Sequence, residues 1–439
     1  MSSSAQYQLD SQRLLAFLDQ SPTPYHAVES MTSRLAAAGY ERLHESQAWE
    51  LQPGRGYFLT RNGSSLIAFH TGRGNFVETG VRMVGAHTDS PCLKVKPRPD
   101  LKRQGVWSLG VEVYGGLLMN PWFDRDLSIA GRVTHENAAG ELTSTLIDFK
   151  VPLARIPSLA IHLDREANEG RTVNAQKHLP VVLGSEQPGE SDFRGMLQQK
   201  LEQQVGKDAG QLFAWEMYLY DTQCAAVVGL QSEYVSSARL DNLLSCFCGL
   251  DALLERAGEV PSLLVCNDHE EVGSMSACGA QGPFLRDVLE RLVPEGLDRQ
   301  RMLNHSMMIS ADNAHAVHPN YADRHDENHG PKINAGPVIK INANQRYATN
   351  SENSSVFRQV CSGLSIPLQE FVTRTDLGCG STIGPLTAGN VGVSTLDVGC
   401  PQWAMHSIRE TAGLRDAEYL VRALAGFYDR SQPFGGGVV

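Results

Sequence analysis

The run NDHEE, residues 267–271, places Asp268, His269, Glu270 and Glu271 directly after the apolar stretch SLLVC. Side chains of these types can ligate a metal or carry a proton, and they can equally well form a solvated turn. Taken alone, a charged turn after a buried strand is the commoner arrangement. The same texture recurs along the chain, however. His87 and Asp89 follow VRMVGA, Asp241 opens a helical pattern, Asp312, His315 and His318 follow SMMIS, and His406 follows GVSTLDV. In an open α/β sheet, ligands gather beyond the carboxyl ends of the strands. Five such loops at one edge are better explained by a shared site. The donors are nitrogen and oxygen without thiolate, which suits zinc or a similar divalent ion.

Other chemistries lack their patterns. HEEVG has no second histidine to make HExxH, and no GxSxG elbow occurs. GCGSTIG, residues 378–384, is not GxGxxG and reads as a tight turn. The nine cysteines are scattered without a CxxC pair, as packed, reduced thiols of a cytosolic protein are, and no cysteine-based zinc site is assigned. A net charge of −11 argues against a general nucleic-acid or anionic-membrane surface. The first residues lack a secretory apolar core and an arginine-rich presequence, and no apolar run is long enough to span a bilayer. The expected location is the cytoplasm.

The elements that must hold these loops can be read from periodicity. SQRLLAFLDQ and SPTPYHAVESMTSRLAAAG are helices, and Asn62-Gly63 centres a hairpin. From about residue 95 the texture becomes short β-patterned runs with Gly-rich turns, then a looser polar segment over 183–210. After about residue 235, strands and helices alternate: SLLVCN, SMMISAD and GVSTLDV as strands, LDNLLSCFCGLDALLERAG and DAEYLVRALAGFY as helices. The fold class expected is α/β, a mostly parallel sheet sandwiched by helices, with an inserted β-rich domain. Residues 1–94 and 234–439 form the first domain in this reading, and 95–233 the insertion.

GAHTDSP, SARLDN, NDHEEVGS, SADNAHAVHPNY, GPVIKINANQRYATN and MHSIRE, in this order, resemble the signatures of aspartyl aminopeptidases and vacuolar aminopeptidase I. Those are di-zinc metallopeptidases with an α/β catalytic domain and an inserted β-rich domain. The resemblance implies two zinc ions per subunit, with cobalt or manganese as substitutes. His87 and Asp312 would ligate one ion, Glu271 and His406 the other, and Asp241 would bridge them. It makes Glu270 the general base and Asp89 the group that orients His87. Charge supports this division: two divalent ions against Asp241, Glu271, Asp312 and a bridging hydroxide are already neutral, leaving Glu270 to carry protons.

Relatives of this kind remove N-terminal residues, and many prefer Asp or Glu. A carboxylate substrate needs a cation. Lys340, near Arg346 and Tyr347, is the candidate, although by spacing alone it is a solvated strand residue. His162 by spacing is a packed histidine. The resemblance implies that it reaches a neighbouring subunit's site, which requires a homo-oligomer, in the family a dodecamer. His315 and His318 are implied near the site, as supporting or structural groups, with His315 the candidate for substrate contact. The alternatives are an aminopeptidase that prefers neutral residues such as Leu, a deacylase or carboxypeptidase on the same core, and a non-catalytic assembly protein retaining the fold.

Overall fold

The computed structural model describes residues 7–186, 192–206, 209–432 and 434. The chain forms two compact units. One comprises Met1–Asp89, Ala225–Met405 and Glu410–Val439, the other Ser90–Cys224 and His406–Arg409.

The first unit is α/β, as expected. SLLVCN and RMVGAH are buried at every position and show no in–out alternation, so they need cover on both faces. They lie at the centre of a nine-stranded sheet. Ser262–Asn267, Arg82–His87, Met307–Ala311 and Ser394–Gly399 are adjacent and parallel, which brings their carboxyl ends to one edge. Antiparallel neighbours flank this core: Ser65–His70 beside Ser262–Asn267, and Val338–Ile341 beside Ser394–Gly399. Val84, Ala86, Leu264 and Cys266 pack on one face with helices Leu240–Glu255 and Leu414–Tyr428. Met83, Leu263 and Val265 face the other side, against Phe284–Leu292. Each large side chain so buried stabilises the sheet by ~1.5–3 kcal/mol.

The expected hairpin joins Gly56–Arg61 to Ser65–His70, with Asn62 and Gly63 both at positive φ. The periodicity reading did not include helix Gly296–Asn304 or helix Ile383–Val391. The latter starts inside GCGSTIG, where the Thr382 hydroxyl accepts the Gly384 N–H as an N-cap. A separate five-stranded sheet also forms, from Ala226–Val228, Tyr234–Ser237, Glu410–Gly413, Pro401–Trp403 and Ala314–His315 in spatial order. Strands of two to four residues have too few alternations to register in a sequence.

The second unit is a six-stranded antiparallel sheet: Leu142–Asp148, Leu127–Glu136, Leu212–Asp221, Cys92–Arg103, Val106–Tyr114 and Val181–Ser185. The segment expected to be loose instead contains helix Phe193–Val205, capped by Asp192. Phe193, Leu197 and Leu201, spaced four apart, bury one narrow stripe in the core of this unit, while the other faces are polar enough to hide the period. Residues 187–191 and 207–208 of that segment lie outside the described residues.

Candidate metal centre and substrate cavity

His87 ends its strand fully enclosed. Its Nδ1 lies 3.0 Å from the Asp89 carbonyl and 3.4 Å from Asp89 Oδ1, which fixes the ring. Its Nε2 points to Asp241 Oδ1 at 3.4 Å and Asp312 Oδ1 at 3.7 Å. Asp89 does more than orient that imidazole. Its two carboxylate oxygens accept the backbone N–H groups of Glu270 and Glu271, each at 3.1 Å. The turn bearing the glutamates is thereby tied to the loop bearing His87. His269 enters this turn at φ 65° and Gly273 leaves it at φ 97°, so the chain reverses tightly after the strand.

Asp241 sits at the start of helix Leu240–Glu255 in an extended conformation, followed by a cis peptide bond to Asn242. The small sheet holds it. The Asp241 N–H donates to Glu410 Oε2 at 3.0 Å, and Gln402 Nε2 donates to Glu410 Oε1 at 3.4 Å. Asn313 Nδ2 donates to Gln402 Oε1 and the Leu240 carbonyl, each at 2.8 Å. Asn313, Gln402 and Glu410 were not singled out from the sequence, although each lies one to four residues from a predicted ligand. Their signal was that of buried polar residues in or beside short strands.

Ligating atoms of His87, Asp241 and Asp312 lie within 4.8 Å of one another, as do those of His87, Glu270 and Glu271. Burial raises the Glu270 carboxyl to about 7; positive His87 opposes this, while Asp312, Asp89 and Asp241 reinforce it. Burial opposes charge on His87, yet its bonds to Asp241, Asp312 and Asp89 outweigh this and lift it well above an ordinary imidazole. Such a donor set, an imidazole among converging buried carboxylates, fits a zinc-type cation, which would take the imidazole in its neutral form.

Lys340 is not a solvated strand residue. It is 2% exposed, and its Nζ lies 3.2 Å from both Asp312 Oδ2 and the Asn313 carbonyl. The ammonium sits 5.1 Å from the Tyr347 ring centre. Tyr347 in turn lines a cavity of about 320 Å³ with His315, His318, His325, Arg324, Arg374, Phe371 and Trp403. The His315 ring stands edge-on to Phe371 at 5.7 Å. Arg346 is outside this lining, and its Nε donates to the Cys379 carbonyl at 3.3 Å. Arg324, Arg374 and Phe371 escaped the sequence reading because no motif on which that reading drew covers them.

Two predicted residues belong to the second unit. His406 lies in the short segment His406–Arg409, at φ 68°, with Nδ1 3.0 Å from the Gly116 carbonyl. His162 is exposed on a turn between exposed Leu159, Ile161 and Leu163, so within this chain it is not the packed residue its spacing suggested.

Comparison with known proteins agrees with this geometry. Residues 17–428 match the family described as Aminopeptidase I zinc metalloprotease (M18). A "Probable M18 family aminopeptidase 2" of Pseudomonas aeruginosa PAO1 is 58% identical over 422 residues, 96% of this chain and 98% of the relative. Among solved structures, one titled "Cryo-EM structure of the Ape4 and Nbr1 complex" aligns with a TM-score of 0.92 at 37% identity, over 97% of this chain and 85% of the other. The mApe1 dodecamer of S. cerevisiae aligns with a TM-score of 0.83 at 27% identity, over 96% of each chain. With its buried imidazole–carboxylate cluster at the strand ends, the chain belongs to the M18 family of zinc metalloaminopeptidases.

Proposed function

We propose that the protein is an aminopeptidase that releases N-terminal Asp and Glu from peptides, with two metal ions per subunit. The observation that supports the substrate preference is the cavity beside Lys340, which is lined by Arg324 and by Arg374, the latter paired with Asp376. His87 and Asp312 would hold one ion, Glu271 and His406 the other, with Asp241 shared. At His406 the Nδ1 contact with Gly116 directs coordination to Nε2. When bound, zinc lowers the pKa of a coordinated water and polarises the scissile carbonyl. Glu270, whose affinity for protons is raised by burial, takes a proton from the attacking water and delivers it to the leaving amine. Asp89 keeps that carboxylate in place by gripping its backbone. Lys340 is held by Asp312, so its role is to hold that carboxylate while adding positive potential behind the cavity.

The second unit acts as an oligomerisation and substrate-gating domain in this reading. Its exposed leucines and isoleucine around His162 suit a subunit contact that carries the histidine to a neighbouring site, and one 27% identical neighbour is a dodecamer. No helix among the described residues is long and apolar enough to cross a membrane, and the proposed location is the cytoplasm.

The same cavity contains Phe371, Leu377, Trp403 and Met405, which favours a second reading with neutral N-terminal residues. Rates on peptides beginning with Asp, Glu and Leu separate the two. Asp and Glu peptides should be faster in the wild type. Arg324→Ala should lower kcat/KM for them ~10-fold or more while Leu peptides change little, the size of a lost charge-assisted hydrogen bond. Faster cleavage of Leu peptides by the wild type would establish the second reading instead.

A further inference from the structure

Asp268 and His269 directly precede the catalytic glutamates and are not needed in the scheme above. The fold brings a third donor to them. After the turn, the chain doubles back: the Ser274 N–H donates to the His269 carbonyl at 2.7 Å, and the Gly279 N–H to Ser276 Oγ at 2.9 Å. This return places Cys278 Sγ 3.6 Å from His269 Nδ1 and 3.6 Å from Ser276 Oγ. His269 Nε2 lies 3.5 Å from Asp268 Oδ2. Ligating atoms of Asp268, His269 and Cys278 all fall within 4.8 Å of one another.

We propose that Asp268, His269 and Cys278 form a further cation site that takes a thiophilic divalent ion such as Zn²⁺ or Cd²⁺. The sulfur–nitrogen separation of 3.6 Å is already that of two ligands on a tetrahedral ion, whose Zn–S and Zn–N bonds set an edge of ~3.5 Å. Carboxylate, imidazole and thiolate together make a softer set than the all-nitrogen-and-oxygen cluster around His87. Asp268 is 3% and Cys278 4% exposed, while the His269 side chain retains 30% exposure and supplies the way in. Ser276 Oγ, now 2.9 Å from His269 Nδ1, is the group an entering ion displaces. Ligation pulls on the two residues immediately before Glu270, so occupancy of this site inhibits the peptidase. The site itself does not depend on what the peptidase cleaves.

The test uses the full-length protein with its resident metal and cadmium chloride as the probe. Bound metal after gel filtration and the thiolate-to-cadmium charge-transfer band are compared in wild type, Cys278→Ser and His269→Gln. The wild type should retain one more ion than Cys278→Ser and show a stronger band. Inhibition of Cys278→Ser should require ~10-fold more cadmium or more. His269→Gln should keep the thiolate but bind cadmium ~10-fold more weakly or worse. Metal content, band and inhibition that are equal in all three proteins would overturn the site. Loss of the resident ions in every protein would point instead to the assignment around His87.

Discussion

Glu270 and Glu271 are neighbours in the chain, and one residue, Asp89, holds the backbone of both. Their division of labour can be tested separately from their positioning. Glu270→Gln is isosteric and removes only the titrating group. It should retain metal, measured by elemental analysis, while kcat falls ~10²–10⁴-fold. Asp89→Ala removes the acceptor of two amides and a carboxylate beside His87. It should weaken metal binding ~10–100-fold, read by chelator competition, in addition to lowering kcat. A drop in kcat alone for Asp89→Ala would contradict its role in holding the loops. The motif order singled out the proposed ligands, the proposed base and Asp89. The grip of Asp89 on the glutamate turn was not, because a contact across 181 residues leaves no local pattern.

At the level of elements, the parallel strands deliver their ends to one edge, and close packing there leaves little room. Gly399 ends the strand beside Met307–Ala311, and a Cβ on it would fall 1.8 Å from the Asp312 carbonyl oxygen. Backbone cannot yield as a flexible side chain does. Gly399→Ala should therefore lower stability by ~1–3 kcal/mol and displace Asp312, which a lower Tm and weaker metal retention would show together. The long strands and helices were readable because their periods repeat several times. The five-stranded sheet that braces Asp241 through Glu410 was not, since its strands are two to four residues long and gain their identity only by pairing.

At the scale of the molecule, pH acts on groups remote from the site. Burial and Arg256 lower His70 from 6.5 to about 4. The unfolded chain therefore binds a proton between those values that the folded chain refuses. Stability from this group is complete above 6.5 and is lost as the pH falls toward about 4. His70→Gln should flatten the acid side of the stability profile, with urea midpoints compared at neutral and mildly acid pH as the measurement. An equal acid loss in both proteins would place the sensitivity in groups other than His70.

The order of chemistry along the chain was set by sequence alone: apolar runs long enough to be buried strands, each followed by acid or histidine, and motifs specific enough to name a peptidase family. These are local properties, because strand burial and ligand type belong to the residues themselves. Tertiary structure decided what each charge meets. It gave the Lys340 ammonium to Asp312, left His162 exposed among apolar neighbours, turned part of a polar segment into a packed helix, and returned Cys278 to His269. Each of those outcomes depends on which distant groups share a small volume, and the energy of a charge, a thiol or an imidazole is set by that company.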